Sequence, residues 1–97
     1  MKNNTPTLDS IRQEINDIDK VLVELLSKRT ELALRISELK SNSVSAVQAK
    51  DRVELVIANV RKLAKEQGGN EDFIEKVYRL IIKELTDMQL KKKGLLA

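Results

Sequence analysis

LDSIRQEINDIDKVLVELLSKRTELALRISELK, residues 8–40, is the stretch that decides the fold. Within it Leu8, Ile11, Ile15, Ile18, Leu22, Leu25, position 29, Leu32, Ile36 and Leu39 recur at alternating intervals of three and four. That spacing lays one continuous aliphatic seam along a helix. Thr5, Pro6 and Thr7 supply a helix start, so the first helix is predicted over about residues 6–40. At 1.5 Å per residue such a helix runs roughly 50 Å. No later segment is long enough to cover a seam of that length, and an exposed one drives association. A second copy of the chain is the expected cover, which makes the protein a homodimer.

Outward from this helix the chain breaks at Ser41, Asn42, Ser43, Val44 and Ser45, residues that favour turns and caps. A second helix is predicted over about 48–67, with Val53, Val56, Ile57, Val60, Leu63 and Ala64 as its apolar stripe. Gly68, Gly69 and Asn70 end it and start a third helix over about 70–92, which carries Phe73, Ile74, Val77, Ile81, Leu85 and Met88 and stops at lysines and Gly94. The fold class is all-α: one long and two shorter helices in a single domain, residues 1–97.

Composition narrows the chemistry. The 97 residues include no Cys and no His, which removes thiol nucleophiles, disulfides, imidazole bases and the usual zinc ligands. No metal and no cofactor is expected, and any catalysis must use amides, hydroxyls, carboxylates, Lys or Arg. The net charge of +3 comes from 18 basic and 15 acidic residues interspersed along the chain, a weak lean toward an anionic ligand. The polar N-terminus leads into no continuous apolar run, so neither a signal peptide nor a membrane span is expected, and the cytoplasm is the natural compartment.

Position 29 of the seam is Arg29. A guanidinium in an aliphatic stripe loses hydration and needs an acceptor, either an internal ion pair or a bound anion. Lys40 projects from nearly the same face three turns on. Arg12 lies 17 residues before Arg29, roughly 25 Å away and a quarter-turn around, so the two cannot share a small ligand within one helix. In an antiparallel dimer the other chain's Arg12 can reach. Arg52 opens the second helix, and Gln89 follows Leu85 by four residues at the border of the third helix's apolar face. Taken alone, each is an ordinary solvated side chain, as is the Lys91–Lys93 run at a helix end.

Taken together these residues resemble a known family. Leu8-x-x-Ile11-Arg12-x-x-Ile15-x-x-Ile18-Asp19, then Leu25-Leu26-x-x-Arg29-x-x-Leu32 and Lys40, is similar to the first helix of the all-helical, type II chorismate mutases. Arg52, and Ile81-Ile82 before Gln89, continue the likeness without a gap. The resemblance implies three helices per chain in an intertwined homodimeric bundle. It implies that Arg29 and the partner subunit's Arg12 hold the two carboxylates of a small-molecule substrate, chorismate or a relative, with Arg52 at the site wall. Lys40 and Gln89 would donate to the ether oxygen. No nucleic acid, membrane or metal is implied.

The chain departs from the family pattern where Val53 replaces a glutamate that binds the ring C4 hydroxyl, and where Ala49 and Leu85 replace an acid and a serine. Val53 and Leu85 would therefore give the substrate pocket an apolar edge. The segment Ala46–Val53 is also similar to isochorismate pyruvate lyases, which make salicylate on this fold, and mutases of 4-amino-4-deoxychorismate likewise lack the glutamate. Chorismate mutase is the reading carried forward, with these as alternatives. A non-catalytic helical dimer, regulatory or nucleic-acid-binding, is the alternative of another class. It gives no reason for Arg29, Lys40, Arg52 and Gln89 to stand in register.

Overall fold

The computed structural model describes residues 5–39, 43 and 48–95, and within them the chain is three α-helices with no strand. We number them α1 (Leu8–Ser37), α2 (Lys50–Glu66) and α3 (Glu71–Lys92). The all-α class follows. The break predicted at Ser41–Ser45 lies outside the described residues apart from Ser43, as do Lys40, Ala46 and Val47.

The start of α1, the end of α2 and both ends of α3 fall where the sequence provides for them. Thr7 and Ser10 cap α1 reciprocally: the Ser10 N–H donates to Thr7 Oγ1 at 3.0 Å and the Thr7 N–H to Ser10 Oγ at 2.9 Å. Asn70 Oδ1 accepts from the Phe73 N–H at 2.9 Å, as its place before Glu71 and Asp72 predicts. Gly68 and Gly94 both take positive φ, 70° and 72°. After each, the next residue's N–H turns back to a carbonyl of the last turn, Gly69 to Ala64 and Leu95 to Leu90, both at 2.8 Å. An L side chain is strained at such a φ, which is why glycine stands there.

Contacts divide the chain into two compact units, one ending at Leu32 and the other beginning at Ala33. The first is the greater part of α1. Its apolar seam is exposed at every described position from Leu8 (64%) to Leu32 (51%). The second unit holds the end of α1 with α2 and α3. Here α2 packs on α3, burying Ile57, Val60 and Ala64 from one and Leu85 and Leu90 from the other. Phe73, Leu63 and Met88, expected in the apolar stripes, are exposed. They lie at the edges of those stripes, where two helices alone leave one flank uncovered.

Salt bridges fix α2 and α3 as an antiparallel hairpin. Arg61 reaches Asp72 at 3.0 Å and Glu75 at 2.9 Å, while Arg79 reaches Glu75 at 2.8 Å and Glu54 at 3.3 Å. The hydrogen bond from Arg79, then that from Arg61, holds the Glu75 carboxyl below its ordinary range. A depressed folded-state value contributes stability that is present above the unfolded carboxylate value, about 4.3, and lost as pH falls through the folded one. Glu75→Gln should therefore leave a protein whose melting temperature declines less steeply between pH 5 and pH 3 than that of the native chain. Circular dichroism melts across that range check it, and identical slopes would assign the acid sensitivity to other carboxylates.

Candidate functional site

Gln89 is the residue whose setting differs most from its sequence expectation. It lies one turn beyond buried Leu85 and next to buried Leu90, and it is itself only 6% exposed. Burying an amide requires partners for its polar atoms. Gln89 Nε2 donates to the main-chain carbonyl of Ala33 on α1 at 2.7 Å. Among the described residues no buried side-chain nitrogen or oxygen lacks a partner.

The end of α1 is shaped to receive it. Ser37 is 1% exposed, and its Oγ donates to the Leu34 carbonyl at 2.6 Å. The Glu38 and Leu39 N–H groups turn to the carbonyls of Arg35 and Ile36, at 3.2 and 2.9 Å, so the helix tightens in its last turn. Ala33 and Ser37 are four apart and share a face. Both are small enough for a neighbouring helix to approach the α1 backbone. Lys92 adds a salt bridge to Glu38 at 3.1 Å, tying the end of α3 to this turn. The sequence does not single out Ala33 or Ser37 as functional. The available signal was two small residues one turn apart at the end of a long helix.

The other expected site residues are placed as follows. Arg12 is exposed and Arg29 half-buried, both on the unbroken α1. Their separation along it is the roughly 25 Å expected from helix rise, so one chain does not bring them to a common small ligand. Arg52 is exposed in the first turn of α2 and, with Gln48, Ala49, Lys50 and Asp51, lines an open depression of about 430 Å³. Ala49 precedes that turn in a left-handed conformation, φ 41°, with no side-chain cap, so α2 starts at Lys50 and not at Gln48. Val53 is half-buried and Leu85 buried, on neighbouring helices of the hairpin. Lys40 lies outside the described residues, and α1 ends three residues before the limit expected for it. At that end the Ser37 hydroxyl donates back to the Leu34 carbonyl, and the Glu38 N–H turns to Arg35 instead.

Among the described residues no group of acidic side chains is gathered in a way that could hold a metal ion. What the arrangement offers is a buried neutral amide fixed by a main-chain carbonyl, and arginines spaced too far apart to act together in one chain. Guanidinium groups pair with anions, and an amide N–H donates hydrogen bonds.

Comparison with known proteins identifies the family. The family model described as chorismate mutase type II matches residues 11–90. The chain is 36% identical over 86 residues, 87% of its length, to a bifunctional chorismate mutase/prephenate dehydratase of Buchnera aphidicola, and spans 22% of that protein. It is 27% identical to a chorismate mutase of Methanocaldococcus jannaschii, covering 84% of this chain and 83% of that one. A 4-amino-4-deoxychorismate mutase of Streptomyces venezuelae is 30% identical, with 80% and 76% covered. The chain thus spans about a fifth of its bifunctional relatives and most of the shorter ones.

Proposed function

The chain belongs to the type II chorismate mutase family, and from that premise we propose that it rearranges chorismate to prephenate in a cationic pocket shared between two copies of the chain. The observation that carries this is the family match over residues 11–90, which spans Arg12, Arg29, Lys40, Arg52 and Gln89 together. Arg29 and the partner subunit's Arg12 hold the two carboxylates, with Arg52 at the wall. Lys40 and Gln89 donate to the ether oxygen. The reaction is an isomerisation within one molecule: the ether C–O bond breaks as a C–C bond forms, and no proton leaves or enters. It needs no nucleophile or base, which suits a chain without Cys or His. The protein contributes by holding the compact conformer in which the reacting carbons meet, and by stabilising the negative charge that grows on the ether oxygen.

A second copy is supported by the exposed seam. Eight apolar side chains of α1 stand in it, each gaining about 1.5–3 kcal/mol on full burial. Sixteen in a dimer outweigh an association cost of about 4–15 kcal/mol even when burial is partial. Sedimentation at micromolar concentration should give about twice the 11.0 kDa chain mass. A folded monomer there removes the shared site. Among the described residues no helix is long and apolar enough to cross a membrane, and the proposed compartment is the cytoplasm.

One observation favours a second substrate. Val53 is half-buried and Leu85 buried, and neither offers a hydrogen bond to a ring C4 hydroxyl. A relative at 30% identity is a mutase of 4-amino-4-deoxychorismate. Offering chorismate, isochorismate and 4-amino-4-deoxychorismate separately to the purified protein, with chromatography of the products, decides among them. Prephenate is the expected product. Salicylate with pyruvate would establish a lyase, and no turnover of any of the three would remove the enzyme reading.

A further inference from the structure

Gln89 carries an amide whose oxygen and nitrogen ends are nearly the same shape, yet one end donates and the other only accepts. A residue that must donate to a substrate oxygen therefore needs something to choose its orientation. In this chain the Ala33 carbonyl lies 2.7 Å from Gln89 Nε2. With the amide turned over, Oε1 would face that carbonyl in a buried setting, acceptor against acceptor, and both would lose a partner. Nε2 has two protons. The carbonyl takes one.

Resting on the site reading above, we infer that Gln89 is a donor locked in orientation by the α1 backbone: Ala33 O takes one Nε2 proton and leaves the other for the substrate's ether oxygen. Ala33 and Ser37 are the positioning residues. Neither touches substrate, and both act through Gln89. Their small side chains let α3 come close enough for an amide to reach a main-chain carbonyl, and Ser37, 1% exposed, has no room for a larger group. Fixing the donor before the substrate arrives removes a reorganisation that would otherwise fall within the reaction barrier.

Nuclear magnetic resonance of the ¹⁵N-labelled chain tests this directly. The Gln89 side-chain amide is assigned by its absence in Gln89→Glu. Without ligand, one Nε2 proton should resonate downfield and exchange slowly with water while its twin does not. Saturating prephenate, whose keto oxygen is the former ether oxygen, should then shift the twin. Two freely exchanging protons in the ligand-free protein would overturn the locked orientation whatever the activity. A protected first proton with a twin that ignores prephenate, while Arg29 side-chain resonances respond to it, would instead take Gln89 out of the site. Absence of any response to prephenate would count against the proposed activity and leave the lock standing. Ser37→Val adds branched bulk at the close approach and should abolish the protected proton, with kcat reduced about 10²-fold and KM little changed. An unchanged kcat in a folded Ser37→Val protein would remove Ser37 as a positioning residue, and if that variant does not fold, the spectrum of the native chain still decides.

Discussion

Arg12→Ala and Arg29→Ala chains, each nearly inactive alone, should regain activity when mixed and allowed to exchange subunits. Each change removes a cation proposed to hold one substrate carboxylate. Loss of a donor that supports the transition state costs about 10²–10³-fold in rate. In either homodimer both sites lack the same arginine. In the heterodimer one site lacks both and the other is intact, since in the proposed arrangement Arg12 serves the partner's site while Arg29 serves its own. Random exchange of equal amounts makes half the dimers mixed with one good site each, so about a quarter of the native activity should return. Native mass spectrometry shows whether exchange has occurred. Exchanged mixtures that stay inactive would mean that Arg12 does not cross between chains.

The second large effect is expected from Gln89→Glu. The side chain keeps its length, but at neutral pH an ionised carboxylate would face the Ala33 carbonyl and the ether oxygen with no proton for either. Activity at pH 7.5 should fall by about 10²–10³-fold. Burial favours the neutral acid and raises its pKa, whereas nearby cations lower it. In either case acidification increases the protonated form, so activity should rise as pH falls toward 4.5. Recovery should be partial. A carboxylic acid has one proton where the amide has two, and the Ala33 carbonyl competes with the substrate for it. The native protein, with no titrating group at this position, should show no matching gain. Turnover of both proteins from pH 4.5 to 8, with circular dichroism to confirm folding, measures it. Full activity of the variant at pH 7.5 would exclude Gln89 from the site.

Much of the fold was legible because it rests on local rules. The three-and-four spacing of Leu8 through Leu39 specifies a helix whatever surrounds it, and Asn70, Gly68 and Gly94 mark ends through backbone geometry that few other residues adopt. Arg29 was legible as a candidate because it interrupts that spacing. Gln89 was legible only by its resemblance. Periodicity put it at the border of the α3 stripe beside Met88, whereas the close approach of α3 to α1 buries Gln89 and leaves Met88 exposed. That approach depends on the sizes of Ala33 and Ser37, and small residues carry little hydrophobic signal. The early end of α1 was not legible because no glycine, proline or asparagine stands between Ala33 and Lys40 to mark it.

The α2–α3 hairpin also bears on the order in which the proposed dimer would form. Its helices are joined by the turn 67–70, and its salt bridges and buried side chains link residues close in sequence, so it can close within a single chain at a rate independent of concentration. The α1 seam has no such local complement. In the proposed dimer its burial awaits an encounter between two molecules and becomes a second-order process, faster as the chain accumulates. In a cell making little of this protein, closure of the hairpin would then run ahead of burial of the seam.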